Sequence, residues 1–275
     1  MFISGMVLSI KFKALPSPDF NTSREIMKSA MGLLVPFVSW TLIYAFMRHR
    51  DSVLQYLLSV AKSPDNSLWF LLVLFWCRIF FVTINKVCTK CFGKSSVISF
   101  ASVMIVIFVL ASVVSKLLLP RNFLGFGLFR MHFPYFAAGV FMYKYRERLS
   151  GFLYSISANT AMIIMFILIA PCWYHLSPNP FEIAHGEFLF KVIKRISAIP
   201  GIFLMMSLTK LITRANFKPV VNALSFTGKK TLGIYAIHGS FLGMFPPFIV
   251  PFLASIVITV IVEKIPLLRS LLLGK

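Results

Sequence analysis

The stretch VISFASVMIVIFVLASVVSK, residues 97–116, decides the fold class, because no charge interrupts it before Lys116. A helix crosses a hydrocarbon core in about 20 apolar residues. Reading outward from this run gives seven more candidates, at about 28–48, 66–85, 125–145, 152–174, 188–209, 231–246 and 248–264. Lipid offers no partners to backbone N–H and C=O groups, so each run must be a helix. The rest of the composition agrees. Of 275 residues 58% are apolar and 13% charged, with a net charge of +20 and eight acidic residues. A soluble domain carries about 25% charged residues, and a disordered chain is poor in apolar ones. Both classes are excluded. The basic excess lies in short loops rather than on a polar module, so it marks loops and anionic headgroups, not nucleic acid. The expected fold is all-α: a polytopic transmembrane helical bundle of about eight spans, one membrane-embedded domain over residues 1–275.

Orientation follows from the loops. With a cytoplasmic N-terminus, the inside segments hold eighteen Lys and Arg and the outside segments five. Basic loops stay on the cytoplasmic side, so both termini are expected there. The expected location is the cell (inner or plasma) membrane, as a multi-pass protein. The loop RHRDSVLQYLLSVAKSPD, residues 48–65, reads equally as an ordinary loop or as a short interfacial helix.

Charged and ionisable residues inside the runs are costly and so informative. Lys191, Lys194 and Arg195 share a helix face by spacing, and read as snorkelling cations or as a wall for an anion. Arg130 and His132, just before Pro134, leave the same choice. His238, in TLGIYAIHGSFLG, reads equally as a ring bonded to nearby backbone or as a proton carrier. No Asp or Glu lies in the interior of a run, Glu187 and Glu263 falling at the edges, which argues against an ion-coupled transporter and leaves the intramembrane cations without evident partners. Cys88 and Cys91 form a lone C-x-x-C in a short polar loop. A zinc site needs a second ligand pair, none follows, and no metal is expected.

Several segments in order resemble the acyltransferase-3 family of integral-membrane O-acyltransferases, including its fucose-4-O-acetylase-like members. FISGM (residues 2–6) is similar to the end of the family's second span. REIMKSAMGLLVPFVSW (24–40) resembles its basic turn and Pro-containing helix, SLWFLLVLF (67–75) its W-[FY]-L helix start, and HFPYFAAGVFMYKYRE (132–147) its FP-F-x-x-G helix. FTGKKTLGIYAIH (226–238) is close to the segment G-[KR]-x-[ST]-L-x-I-Y-x-x-H, and PLLRSLLLGK (266–275) also fits. The resemblance implies transfer of an acyl group, commonly acetyl from acetyl-CoA, to a carbohydrate hydroxyl, with acyl-CoA as a donor substrate and no bound cofactor. It assigns Arg24 and Lys28 to the donor, and Ser4, Gly5, Trp69 and His238 to the lining of the site. Family members carry a catalytic histidine on a first helix, and that position falls upstream of Met1. The expectation is therefore an N-terminally truncated chain with little activity as written. The competing reading is a transporter or flippase for an anionic or lipid-linked sugar.

Overall fold

The structure is a computed structural model, and it describes residues 1–12, 21–48, 52–64, 68–92, 97–119, 122–153, 155–169, 192–193, 195–238, 241 and 249–275. Among the described residues every regular element is helical, as the apolar runs require. In chain order the α-helices are α1 Phe2–Ser9, α2 Thr22–Ser29, α3 Val35–Arg48, α4 Val53–Lys62, α5 Trp69–Phe92, α6 Val97–Leu118, α7 Phe126–Lys144, α8 Arg146–Leu153, α9 Ile156–Ile169, α10 Ala198–Arg214, α11 Lys218–His238, α12 Ile249–Lys264 and α13 Pro266–Leu273. Among the described residues, three continuous helical stretches are each long and apolar enough to cross a membrane: Thr22–Met47, Trp69–Cys91 and Ile98–Leu118. Within the loop at 48–65, residues 53–62 form the helix α4.

Packing gathers the chain into two compact units. One comprises Met1–Tyr143 with Thr227–Lys275, the other Lys144–Phe226. The core of the first unit is aromatic. Phe126, Phe129, Phe133 and Phe136 form one stripe along α7. Phe133 meets Phe80 of α5 edge-on at 4.9 Å and stacks on Phe108 of α6 at 4.9 Å. Lipid removes the usual solvent drive between apolar helices, so close ring contacts and dispersion hold these three together. Small residues do the same for α1. A Cβ on Gly5 would stand 2.0 Å from the carbonyl oxygen of Phe136, and one on Gly139 would stand 2.0 Å from that of Phe2. The two backbones cross in direct contact.

Pro36 is accommodated by a π-helical turn, Ala30–Leu34, that joins α2 to α3. Val35 donates its N–H to Ala30 across five residues, so the ladder shifts register just before the ring that would otherwise clash. At the start of α2 the Asn21 side chain accepts the Arg24 N–H at 2.9 Å, an N-cap.

In the second unit, α9 packs on α10. The Ser155 hydroxyl caps α9 by accepting the Ala158 N–H at 3.1 Å, and Ser207 of α10 donates to the Asn159 side chain.

Two sequence readings change. Cys88 and Cys91 lie not in a loop but on the last turns of α5, Cys88 buried and Cys91 exposed. The helix continues past the apolar run into its lysine-bearing end, where Thr89 donates its hydroxyl to the Asn85 carbonyl at 2.7 Å. The run at 231–246 belongs to a helix that begins at Lys218, with Pro219 in the first turn, where its missing N–H costs nothing. Lys191, Lys194, Pro171 and Cys172 lie outside the described residues.

Candidate functional site

The first unit holds two polar constellations on α5. At one of them, Glu25 of α2 is buried and accepts from Arg78 of α5 at 3.0 Å and from Lys11. The sequence left Arg78 without a partner. The fold supplies one, because α2 packs along α5 and turns Glu25 toward it. Arg24 and Lys28 flank Glu25 on the same helix and are exposed. Paired charges at this depth are worth keeping only together. Glu25→Gln is expected to cost about 1–2 kcal/mol, less than a fully buried pair because both cations retain some solvent. Thermal unfolding in detergent checks this, and an unchanged midpoint contradicts it.

The second constellation lies at the Trp69 end of α5. The His132 ring of α7 stacks on Trp69 at 5.0 Å. Phe70 meets Tyr235 of α11 at 5.5 Å, and Phe70 donates its backbone N–H to the Tyr235 hydroxyl at 3.3 Å. Tyr235 lies 5.8 Å from the ring of His238. An aromatic line thus runs from His132 through Trp69, Phe70 and Tyr235 to His238, joining three helices. Tyr44 of α3 also reaches α11, donating its hydroxyl to the Ala236 carbonyl at 2.6 Å.

The His238 ring is oriented by its own helix. Its Nδ1 lies 2.7 Å from the carbonyl oxygen of Tyr235. A neutral imidazole facing a carbonyl must carry its proton on that nitrogen. Its Nε2 then keeps a lone pair, and among the described residues it makes no hydrogen bond. His238 is half-buried. The ring is thus bonded to nearby backbone of its own helix, one of the two readings that the sequence left open.

The sequence-assigned residues divide accordingly. Trp69 and His238 are brought onto one aromatic ledge. Arg24 and Lys28 lie with the ion pair, nine residues further along α5 at Arg78, or about 14 Å along the axis. Ser4 is half-buried on α1, and Gly5 is buried against α7. Tyr235 and His132 were not assigned to the site. Spacing within the IYAIH segment placed Tyr235 beside His238, but only tertiary packing sets His132 on Trp69. Arg130, also left open, donates to the Ser112 carbonyl of α6 at 3.2 Å and so ties α7 to α6. An apolar cavity of about 230 Å³ lies between α3, α4 and α5, lined by Phe37, Leu57 and Leu72 among others. Its one hydroxyl, on Thr41, is committed to the Phe37 carbonyl at 2.7 Å. Among the described residues no group of three His, Cys, Asp or Glu side chains is placed to hold a metal ion.

An all-helical, membrane-embedded chain with a histidine-bearing aromatic ledge and a separate basic helix has the parts of a membrane transferase. The family model described as an acyltransferase domain, of the acyltransferase-3 family, matches residues 1–263, and the chain belongs to that family. No curated protein and no solved structure matches the chain. The protein is accordingly a membrane acyltransferase, which requires an acyl donor and an acceptor, and the family assignment supersedes the transporter reading.

Proposed function

We propose that the protein transfers an acyl group, acetyl in the simplest case, from acyl-CoA to a carbohydrate hydroxyl at the Trp69–His238 ledge. It does so as a multi-pass protein of the cell (inner or plasma) membrane with both termini cytoplasmic. The observation that carries the reading is the spacing along α5. Arg24 and Lys28 are exposed on α2, whose Glu25 pairs with Arg78 of α5, and the ledge begins at Trp69, about 14 Å from Arg78 along the α5 axis. That distance is about the reach of an extended pantetheine arm. CoA phosphates held by Arg24 and Lys28 place the thioester at the ledge, with charge-assisted bonds anchoring the donor.

At the ledge the acceptor hydroxyl meets His238, which we assign as the base within this chain in place of the first-helix histidine that the family resemblance puts upstream of Met1. Nε2 takes the hydroxyl proton as the oxygen attacks the thioester carbonyl carbon, which gives a tetrahedral intermediate carrying the negative charge on the former carbonyl oxygen. The carbonyl re-forms, the C–S bond breaks, and the departing CoA thiolate recovers a proton from the imidazolium. The products are the ester, free CoA and neutral His238. A positioned base contributes about 10²–10⁴-fold to such a step. The faces of Trp69 and Tyr235 suit the apolar C–H faces of a sugar ring, and Ser4 on α1 is a further lining hydroxyl.

Binding of radiolabelled CoA to the protein in lipid nanodiscs tests the donor assignment. The double substitution Arg24→Ala with Lys28→Ala is expected to weaken binding by about 10–10²-fold, since each charged hydrogen bond is worth about 1.5–3 kcal/mol when fully formed and less when exposed. Absence of saturable CoA binding by the parent protein overturns the donor. Transfer of labelled acetyl to glycans is measured in membranes, on the chain from Met1 and on a form extended by any in-frame upstream codons. Transfer to water or protein alone, with none to any glycan, overturns the acceptor.

A further inference from the structure

The last helix, α13, lies beyond the residues that the family model matches, yet it is clasped by the two helices that support the ledge. On one side, the Trp40 indole N–H of α3 donates to the Leu272 carbonyl at 3.0 Å, a buried bond across 232 positions of sequence. Gly274 ends α13 in the left-handed conformation (φ +61°), and a Cβ there would come within 2.6 Å of the Gly32 Cα in the π-helical turn. On the other side, a Cβ added at Gly233 of α11 would meet Thr259 of α12 at 2.4 Å and, next to it, Leu273 of α13 at 3.0 Å. Lys275 donates to the Lys229 carbonyl of α11 at 3.0 Å and pairs with Glu263 of α12 at 2.6 Å. Glu263 also pairs with Lys230 of α11.

We propose that α13 is a positioning element for the transfer reaction: it spans α3 and α11 and sets the seat of α11, and with it the placement of His238 against Trp69 and Tyr235. Among the described contacts, two link α11 to α3, beside those that α5 and α12 make with it. The Tyr44 hydroxyl grips Ala236 directly, two residues before His238, and α13 grips the same helix at Lys229 and Gly233. A helix held at one point pivots, and one held at two separated points does not. Among the described residues, no hydrogen bond or ion pair that the structure shows joins α13 to the ledge or to Arg24 and Lys28. Its effect on chemistry passes through α11 alone, so donor binding is expected to be indifferent to it. This inference rests on the assignment of His238 under the proposed function.

The test compares Trp40→Phe, which deletes the indole N–H but keeps an aromatic ring, Gly274→Ala, which drives a Cβ into Gly32, and the milder surface substitution Lys275→Met. Three quantities are measured in nanodiscs: kcat and KM for acetyl-CoA, the rate at which diethyl pyrocarbonate modifies His238 as read by mass spectrometry, and the thermal midpoint. The expected result for Trp40→Phe and Gly274→Ala is a kcat lower by about 10–10²-fold, the scale of an ångström-level misplacement. KM for acetyl-CoA is expected to stay within about twofold, and the His238 modification rate to change by more than about threefold. Lys275→Met is expected to move both quantities in the same direction by less. An unchanged modification rate in folded Trp40→Phe and Gly274→Ala overturns the proposal, as does a parallel rise in KM with constant kcat. Should the first two variants fail to fold, Lys275→Met decides by the same criteria. The modification rate reports on the placement of His238 whether or not His238 is the base. Failure of that catalytic assignment, seen as near-normal transfer by His238→Ala, is thereby distinguished from failure of α13 to position α11.

Discussion

His238→Ala is expected to lower acyl transfer by about 10²–10⁴-fold while leaving CoA affinity within about twofold. An alcohol is a weak nucleophile near neutral pH, and the rate depends on a base within reach of its proton. His238 meets the two geometric demands of that role. The Nδ1 contact with the Tyr235 carbonyl, at 2.7 Å, orients the ring and sets the neutral tautomer. Nε2 is left with its lone pair on a half-buried ring at the end of the aromatic line. The histidine is on α11, whereas the residues assigned to the CoA phosphates are on α2, so the two functions should separate kinetically. Loss of kcat without loss of donor affinity is the expected signature. His238→Gln, which offers a donor and an acceptor but no comparable base, should fall near the alanine variant. A fall of less than about tenfold in His238→Ala removes His238 from the proton transfer, and near-normal activity in His238→Gln reduces it to a hydrogen-bonding position.

Gly5→Ala is expected to lose at least ~3 kcal/mol of stability, at or above the upper end of the usual cost of overpacking. The added methyl would sit 2.0 Å from a main-chain oxygen of Phe136 and 3.2 Å from the Val140 nitrogen. Neither is the tip of a side chain that can rotate aside, so α1 and α7 must part. The loss of close backbone approach is costly in a membrane, where packing of this kind replaces solvent-driven burial. Gly139→Ala meets the same obstacle from the other helix and should behave alike. The control is Gly228→Ala in α11, where a Cβ meets nothing within 4 Å. That change is expected to be neutral or to stabilise by up to about 1 kcal/mol through helix propensity. Thermal unfolding and monodispersity in detergent read all three, and a Gly5→Ala midpoint equal to that of Gly228→Ala contradicts the crossing. This outcome gives Gly5 a packing role that its motif alone did not disclose. The family resemblance assigned it to the lining of the site, while the fold presses it against α7.

The legible parts of the site were those written locally. The IYAIH spacing places Tyr235 and His238 within one turn of a helix, and the basic REIMK segment places Arg24 and Lys28 on one surface of α2. Pairings between distant segments were not legible. Glu25 lies outside the apolar runs and gave no sign that it would reach Arg78, more than fifty positions away. The stack of His132 on Trp69 joins two runs whose relative rotation no periodicity fixes, because both are apolar on nearly every side. The C-x-x-C at Cys88 and Cys91 was misplaced for a related reason. Hydropathy marks where a helix leaves the hydrocarbon, but its hydrogen bonds continue into the polar zone until something stops them.

By itself the sequence determined the solvent and the element type. Uninterrupted apolar runs in a chain with few acids can satisfy their backbone in lipid only as helices, and motifs spread along the chain placed it among membrane acyltransferases. Tertiary structure alone decided which helices meet, which glycines mark crossings, which carboxylate neutralises Arg78, and how His238 comes to share a ledge with Trp69. The physical reason is that hydrophobicity sorts residues between water and lipid but scarcely distinguishes one lipid-facing surface from another. Helix pairing inside the membrane rests on shape and on a few polar contacts, and those exist only once the chain has folded.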